Sequence, residues 1–146
     1  MSGKRFAIAI AMLTLVGAPM VAQAQTLKAS ASINKAKAKG DLGVLFTESG
    51  LLPRQAVSYA ITANASATYS CNGVAQAPVG GPEEVDVNMT ASSKGTIRNC
   101  ETVMLPDSPC AIGNTSTITK VSYTNVTVTD VTEGTSVAIG NFSASF

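Results

Sequence analysis

The chain has 146 residues, of which 13% are charged, with a formal net charge of +1. That length suits a single domain able to bury its own core. With no histidine and no tryptophan, the chain excludes hydrolase triads that rely on histidine and zinc sites built from histidine with cysteine.

Lys4 and Arg5 open the chain, and an apolar run follows from Phe6 to Val16. Gly17 and Pro19 break that run, and Ala22-Gln23-Ala24 supplies the small residues of a cleavage site. This is the order of a secretory signal peptide over residues 1–24, with Gln25 as the first mature residue. The apolar run is about eleven residues, short of the roughly 20 that a spanning helix needs, so no transmembrane segment is expected in the mature chain. Export places the protein in the periplasm or outside the cell, where disulfides persist. Loss of Lys4 and Arg5 takes the net charge from +1 to −1.

Residues 25–40 read as a basic N-terminal arm or edge strand, with Lys28, Lys35, Lys37 and Lys39 and no acid. Lys35, Lys37 and Lys39 offer a contact for an anionic surface. The preferred reading is that alternating lysines protect a sheet edge from aggregation. No aromatic residue is interleaved with them, so nucleic acid is not an expected partner.

Residues 41–146 alternate with the period of β-strands. "DLGVLFTE" puts Leu42, Val44 and Phe46 on one face. "YAITANASATYSC" interleaves Tyr59, Ile61, Ala63, Ala65, Ala67, Tyr69 and Cys71 with Ala60, Thr62, Asn64, Ser66, Thr68 and Ser70. Its central alanines leave little side-chain volume, so an opposing sheet can approach closely there, or the strand can bend across a sandwich edge. Asn72 to Pro82 reads as one exposed loop. "EEVDVNMTA" sets Val85, Val87, Met89 and Ala91 against Glu84, Asp86, Asn88 and Thr90. "KVSYTNVTVTDV" switches phase between Tyr123 and Val126, which a β-bulge near Thr124-Asn125 would produce. The last segment switches similarly across Gly140, from Val137 and Ile139 to Phe142, Ala144 and Phe146. Gly-, Asn- and Pro-rich turn signals separate these segments. The fold expected is all-β, a single antiparallel, immunoglobulin-like β-sandwich of about seven strands over residues 41–146. An outer-membrane barrel, suggested by the alternating C-terminal aromatics, is disfavoured because only 5% of residues are aromatic.

"FTESGL", "VSYAITANASATYSCNG" and "VSYTNVTVTDVT" resemble a group of small secreted bacterial β-sandwich proteins. These share an F-x-E-T/S-G-L turn, an A-T-Y-x-C strand and a V-S-Y-x-N-V strand. The resemblance spans Leu42 to Thr132 and implies a common fold rather than an activity. Where the group has a longer loop with Asn and His after its first cysteine, this chain reads "NGVAQAPVGGPEE".

Cys71, Cys100 and Cys110 allow three pairings, and their odd count leaves one thiol free or intermolecular. The resemblance implies Cys71–Cys110; a Cys100–Cys110 bridge across one hairpin is the alternative. Closing a separation of 39 residues contributes on the order of 4 kcal/mol in the chain-entropy picture. Cys100 is then the free or intermolecular thiol. "GTIRNCETV" sets it with Arg98 and Thr102 on the face opposite Ile97 and Val103, toward solvent.

No base is present in the form of histidine to activate a thiol. Glu83, Glu84 and Asp86 read as a solvated acidic rim, and Asp86-Val87-Asn88 is too short for a calcium loop. The expected protein is therefore not an enzyme and carries no catalytic residue, metal or cofactor. It is a secreted β-sandwich acting as a cell-envelope or extracellular structural or interaction protein, toward a protein or cell-surface partner. One alternative is a pilin-like fibre subunit that self-associates by strand exchange, with "TLKASASINK" as donor. Another is a secreted inhibitor acting through the 72–82 loop.

Overall fold

The alternating segments form eight antiparallel strands in the computed structural model, which describes residues 24–36 and 39–146. Residues 1–23, which hold nearly all of the expected signal peptide, and Lys37 lie outside the described residues. The strands are β1 (Thr26–Ile33), β2 (Leu42–Ser49), β3 (Ala56–Cys71), β4 (Val74–Ala75), β5 (Val79–Thr90), β6 (Thr96–Val103), β7 (Ser116–Asp130) and β8 (Thr135–Ser145). One sheet has the order β1-β2-β6. In the other, β3 pairs with β5 and the short β4 on one side and with β7 on the other, and β8 follows β7.

In chain order, β1, β2 and β6 take the places of strands A, B and E of an immunoglobulin sandwich, and β3, β7 and β8 those of C, F and G. β5 has switched sheets, joining β3 instead of β6. The count exceeds the expected seven because the two-residue β4 is paired separately. β1 belongs to the sandwich, so the domain starts at this edge strand and not at Asp41.

Each strand buries one register, as period-2 alternation requires. Leu42, Val44 and Phe46 face inward from β2, and Tyr59, Ile61, Ala63, Ala65, Ala67 and Tyr69 from β3. Val121, Tyr123, Val126 and Val128 complete the core from β7. The Phe46 and Tyr59 rings lie 4.7 Å apart and tilted, joining the two sheets.

The phase switch in β7 is a bulge. Thr62 pairs with Thr127 and Asn64 with Thr124, so Asn125 and Val126 both oppose Ala63. Asn125 takes a left-handed backbone (φ 55°), a conformation that asparagine tolerates better than most residues. The Asn125 N–H donates to Asn141 Oδ1 at 2.9 Å. The matching shift in β8 falls at Gly140. A second bulge, unforeseen, places Thr119 as the extra residue between the Thr68 and Tyr69 pairings.

Two expectations need correction. Asn72–Pro82 is not one exposed loop: β5 already begins at Val79, and Val74-Ala75 pair back onto β3. "VGGP" reads as turn chemistry, yet it lies in the β3–β5 ladder. A Cβ on Gly80 would strike the Ala65 carbonyl oxygen, so glycine here permits a close strand approach. Pro82 is tolerated because β5 is on the sheet's edge. Lys35 and Lys39 are likewise not on an edge strand, since β1 ends at Ile33 and both lie exposed in the β1–β2 connection. Among the described residues no helix is long and apolar enough to cross a membrane.

Candidate functional site

One end of the sandwich is stapled. Cys71, the last residue of β3, is bonded to Cys110 in the β6–β7 connection, with Cα atoms 5.5 Å apart. Asn72 follows in a left-handed turn (φ 52°). Its N–H donates to the Thr115 carbonyl at 2.9 Å, and its Oδ1 accepts the Thr115 N–H at 2.9 Å. Its side-chain amide also donates to Asn114 Oδ1 at 3.0 Å. Deeper in, the Tyr69 hydroxyl donates to the Pro106 carbonyl at 2.5 Å. Burial, followed by the charges of Asp107 and Asp41, raises the Tyr69 phenol above its ordinary value.

These ties fasten the β3–β4 turn to the β6–β7 connection. They hold Val74, 63% exposed, and the fully exposed Ile112 on rigid backbone at the same end. Immobilised loops that present apolar side chains suit recognition, because little conformational entropy is lost on binding.

Cys100 faces solvent, as its register predicts, and is the free cysteine. It lies on the outer face of the three-stranded sheet, opposite Leu45, which is opposite Ser30. One step along, Lys28, Thr47 and Arg98 form the neighbouring outward row. Lys35 and Lys39 are exposed elsewhere, in the β1–β2 connection. The expected site residues are therefore dispersed: the disulfide at one end, the thiol on one face, and the lysines on a loop. Glu84 and Asp86 point outward from β5, while Glu83 falls on the opposite register, so they form no paired carboxylate site.

At the other end of β3 the core contains two acids. Glu48 on β2 is 2% exposed and Asp130 at the end of β7 is 0% exposed. The Tyr59 hydroxyl donates to Glu48 Oε2 at 2.5 Å. Asp130 Oδ1 accepts the Thr132 and Glu133 N–H groups at 2.8 and 3.1 Å, closing the β7–β8 turn. Burial raises the Glu48 carboxyl above its ordinary value; the Tyr59 hydrogen bond opposes this, and the charges of Asp130 and Glu133 add to it. Burial and the neighbouring Glu48 push the Tyr59 phenol up strongly.

This pair was not singled out from the sequence, although a signal existed. Glu48 continues the inward register of Leu42, Val44 and Phe46, and Asp130 that of Val126 and Val128. A charge on a core register is the observation that finds such sites.

No family model matches the chain, and no curated protein matches it. Among solved structures, the X-ray structure of a Northeast Structural Genomics Consortium target is similar at 11% identity and a TM-score of 0.24, over 86% of this chain and 87% of that one.

Proposed function

We propose that the chain is a secreted, non-enzymatic β-sandwich of the cell envelope or extracellular space that binds a protein partner through its stapled end. The observation that carries this reading is the rigid Cys71–Cys110 end, where Asn72 and Thr115 clamp two connections and Val74 and Ile112 stay exposed. The staple also supports export, because disulfides persist in oxidising compartments.

The test compares two variants for retention on envelope fractions of the source cell. One is Val74→Ser with Ile112→Ser; the other is Leu52→Ser, which alters an exposed aliphatic residue outside this end. The stapled-end variant should lose retention at unchanged melting temperature, while Leu52→Ser should bind like the parent. Equal retention of both would contradict the proposal.

Strand exchange is the second reading, and β1 favours it. This edge strand faces the core with Leu27, Ala29, Ala31 and Ile33, two of them only alanine, so little burial holds it in place. Its own β2 already occupies the pairing that a second copy would use. Sedimentation across a concentration series distinguishes the readings: a growing oligomer supports exchange, and a monomer throughout removes it.

A further inference from the structure

Glu48 and Asp130 reach the same point of the core from different sheets. Asp130 stands directly opposite Tyr59 in the β3–β7 ladder, and the Tyr59 hydroxyl is bonded to Glu48. The two remaining oxygens, Glu48 Oε1 and Asp130 Oδ2, are buried without any donor. The Tyr59 side chain that binds Glu48 belongs to the residue paired with Asp130, and the Asp130 charge is near enough to raise the Glu48 carboxyl. Ionised carboxylates can only accept, so the two groups can bond to each other only when one of them carries a proton. Two like charges buried together would otherwise be left unpaired and repelling.

We propose that Glu48 and Asp130 share a single proton, bound to Glu48 Oε1 and donated to Asp130 Oδ2, and that this proton fastens the two sheets together at the β7–β8 turn. Asp130 Oδ1 already accepts two backbone N–H groups, whereas Glu48 accepts only the Tyr59 hydroxyl, so Glu48 is the partner that keeps the proton. Glu48 Oε2 remains free to accept from Tyr59.

Tyr59 from β3 and Glu133 from the β7–β8 turn bear on the pair, and neither brings a positive charge. Lys28 of β1 and Arg98 of β6 line a surface hollow beside Glu48, but they stand opposite Thr47 on the outward register and not in the buried row. Leu27 and Ile97, directly beside Glu48 in its own sheet, are apolar. Ionisation of Glu48 would thus put a second negative charge into a row that cannot answer it. The proton would leave to solvent and the end would loosen.

The sign of the pH dependence follows. A carboxyl with a raised folded value stabilises fully below the ordinary carboxylate range, and that stabilisation is lost as pH rises through the folded value. A salt-bridged acid behaves in the opposite way. The fold is therefore fastened in acid and relaxed in alkali, which makes this end a pH-responsive device.

Melting curves of the full exported chain between about pH 4.5 and about pH 9 provide the test. Glu48→Gln reproduces the protonated state, because its amide donates to Asp130 Oδ2 while its carbonyl accepts from Tyr59. Parent and variant should melt together at the acidic end, and the parent should fall about 5 °C below the variant at the alkaline end. Asp130→Asn should give the same flattening, since its amide can donate to Glu48 while its oxygen still caps the turn. Parallel curves for parent and both variants would overturn the proposal. Infrared spectroscopy reads the proton directly. The parent at neutral pH should show the C=O stretch of a protonated carboxylic acid, absent from Glu48→Gln. If the parent lacks that band at neutral pH, the proposal is overturned independently of whether either variant folds.

Discussion

Every core tyrosine directs its hydroxyl to a specific oxygen, and this is where single residues do most for the fold. Tyr123 is fully buried and donates to the Gly40 carbonyl at 3.1 Å, tying β7 to the β1–β2 connection. Tyr123→Phe keeps the ring but leaves a buried carbonyl short of a donor, so stability should fall by about 1–2 kcal/mol in denaturant titration. Ala65 is 3% exposed on the inner register of β3. Ala65→Leu adds volume where the packing has none to give, and should destabilise by about 1–3 kcal/mol. Cys100 differs from both: it is exposed and unbonded, so Cys100→Ser should change stability by less than about 0.5 kcal/mol while removing any reductant-sensitive dimer on a non-reducing gel. The inward placement of the tyrosines and alanines was legible, because strict alternation fixes the face of each residue. The pairing of Cys71 with Cys110 was legible only through resemblance, since spacing alone leaves three choices. Glu48 and Asp130 were overlooked because single acids at strand ends read as turn residues unless their register is counted.

Strands and their irregularities form the next scale. The β7 bulge reorients Val126 and Val128 inward after Tyr123, so one strand keeps an apolar face on both sides of the break. That geometry rests on the left-handed Asn125 and the bond its N–H donates to Asn141 Oδ1. Asn125→Val should cost about 1–2 kcal/mol, because a β-branched residue is strained there, whereas Asn125→Gly should be close to neutral; urea midpoints for both variants check this. The bulge could be read in advance because a phase switch within continuous β-type composition has few other causes. The start of β5 could not. Glycine and proline at Gly80-Gly81-Pro82 punctuate most chains, and only the approach of Gly80 to the Ala65 carbonyl explains why here they continue a strand. Similarly, alternating lysines mimic an edge strand, but the strand ends at Ile33, and the Asn34 N–H bonds the Asp41 carbonyl to form the turn.

For the whole molecule, two sheets of three and five strands are joined by aromatic packing, by the buried acids at one end and by the disulfide at the other. The two fastenings respond to different conditions: the carboxyl pair to pH, and the staple to redox state. Removing the staple as Cys71→Ser with Cys110→Ser reopens a separation of 39 residues and should cost on the order of 4 kcal/mol, a large part of the roughly 5–15 kcal/mol that holds a domain folded. The proposed function depends on that end staying rigid. The most direct measurement is the intact mass of the protein isolated from its source cell, taken with and without reductant and after thiol labelling. The account predicts a chain beginning at Gln25 with one internal disulfide and a single labelled thiol at Cys100. A mass that retains Met1, or labelling at Cys71 or Cys110 in the native protein, would contradict it.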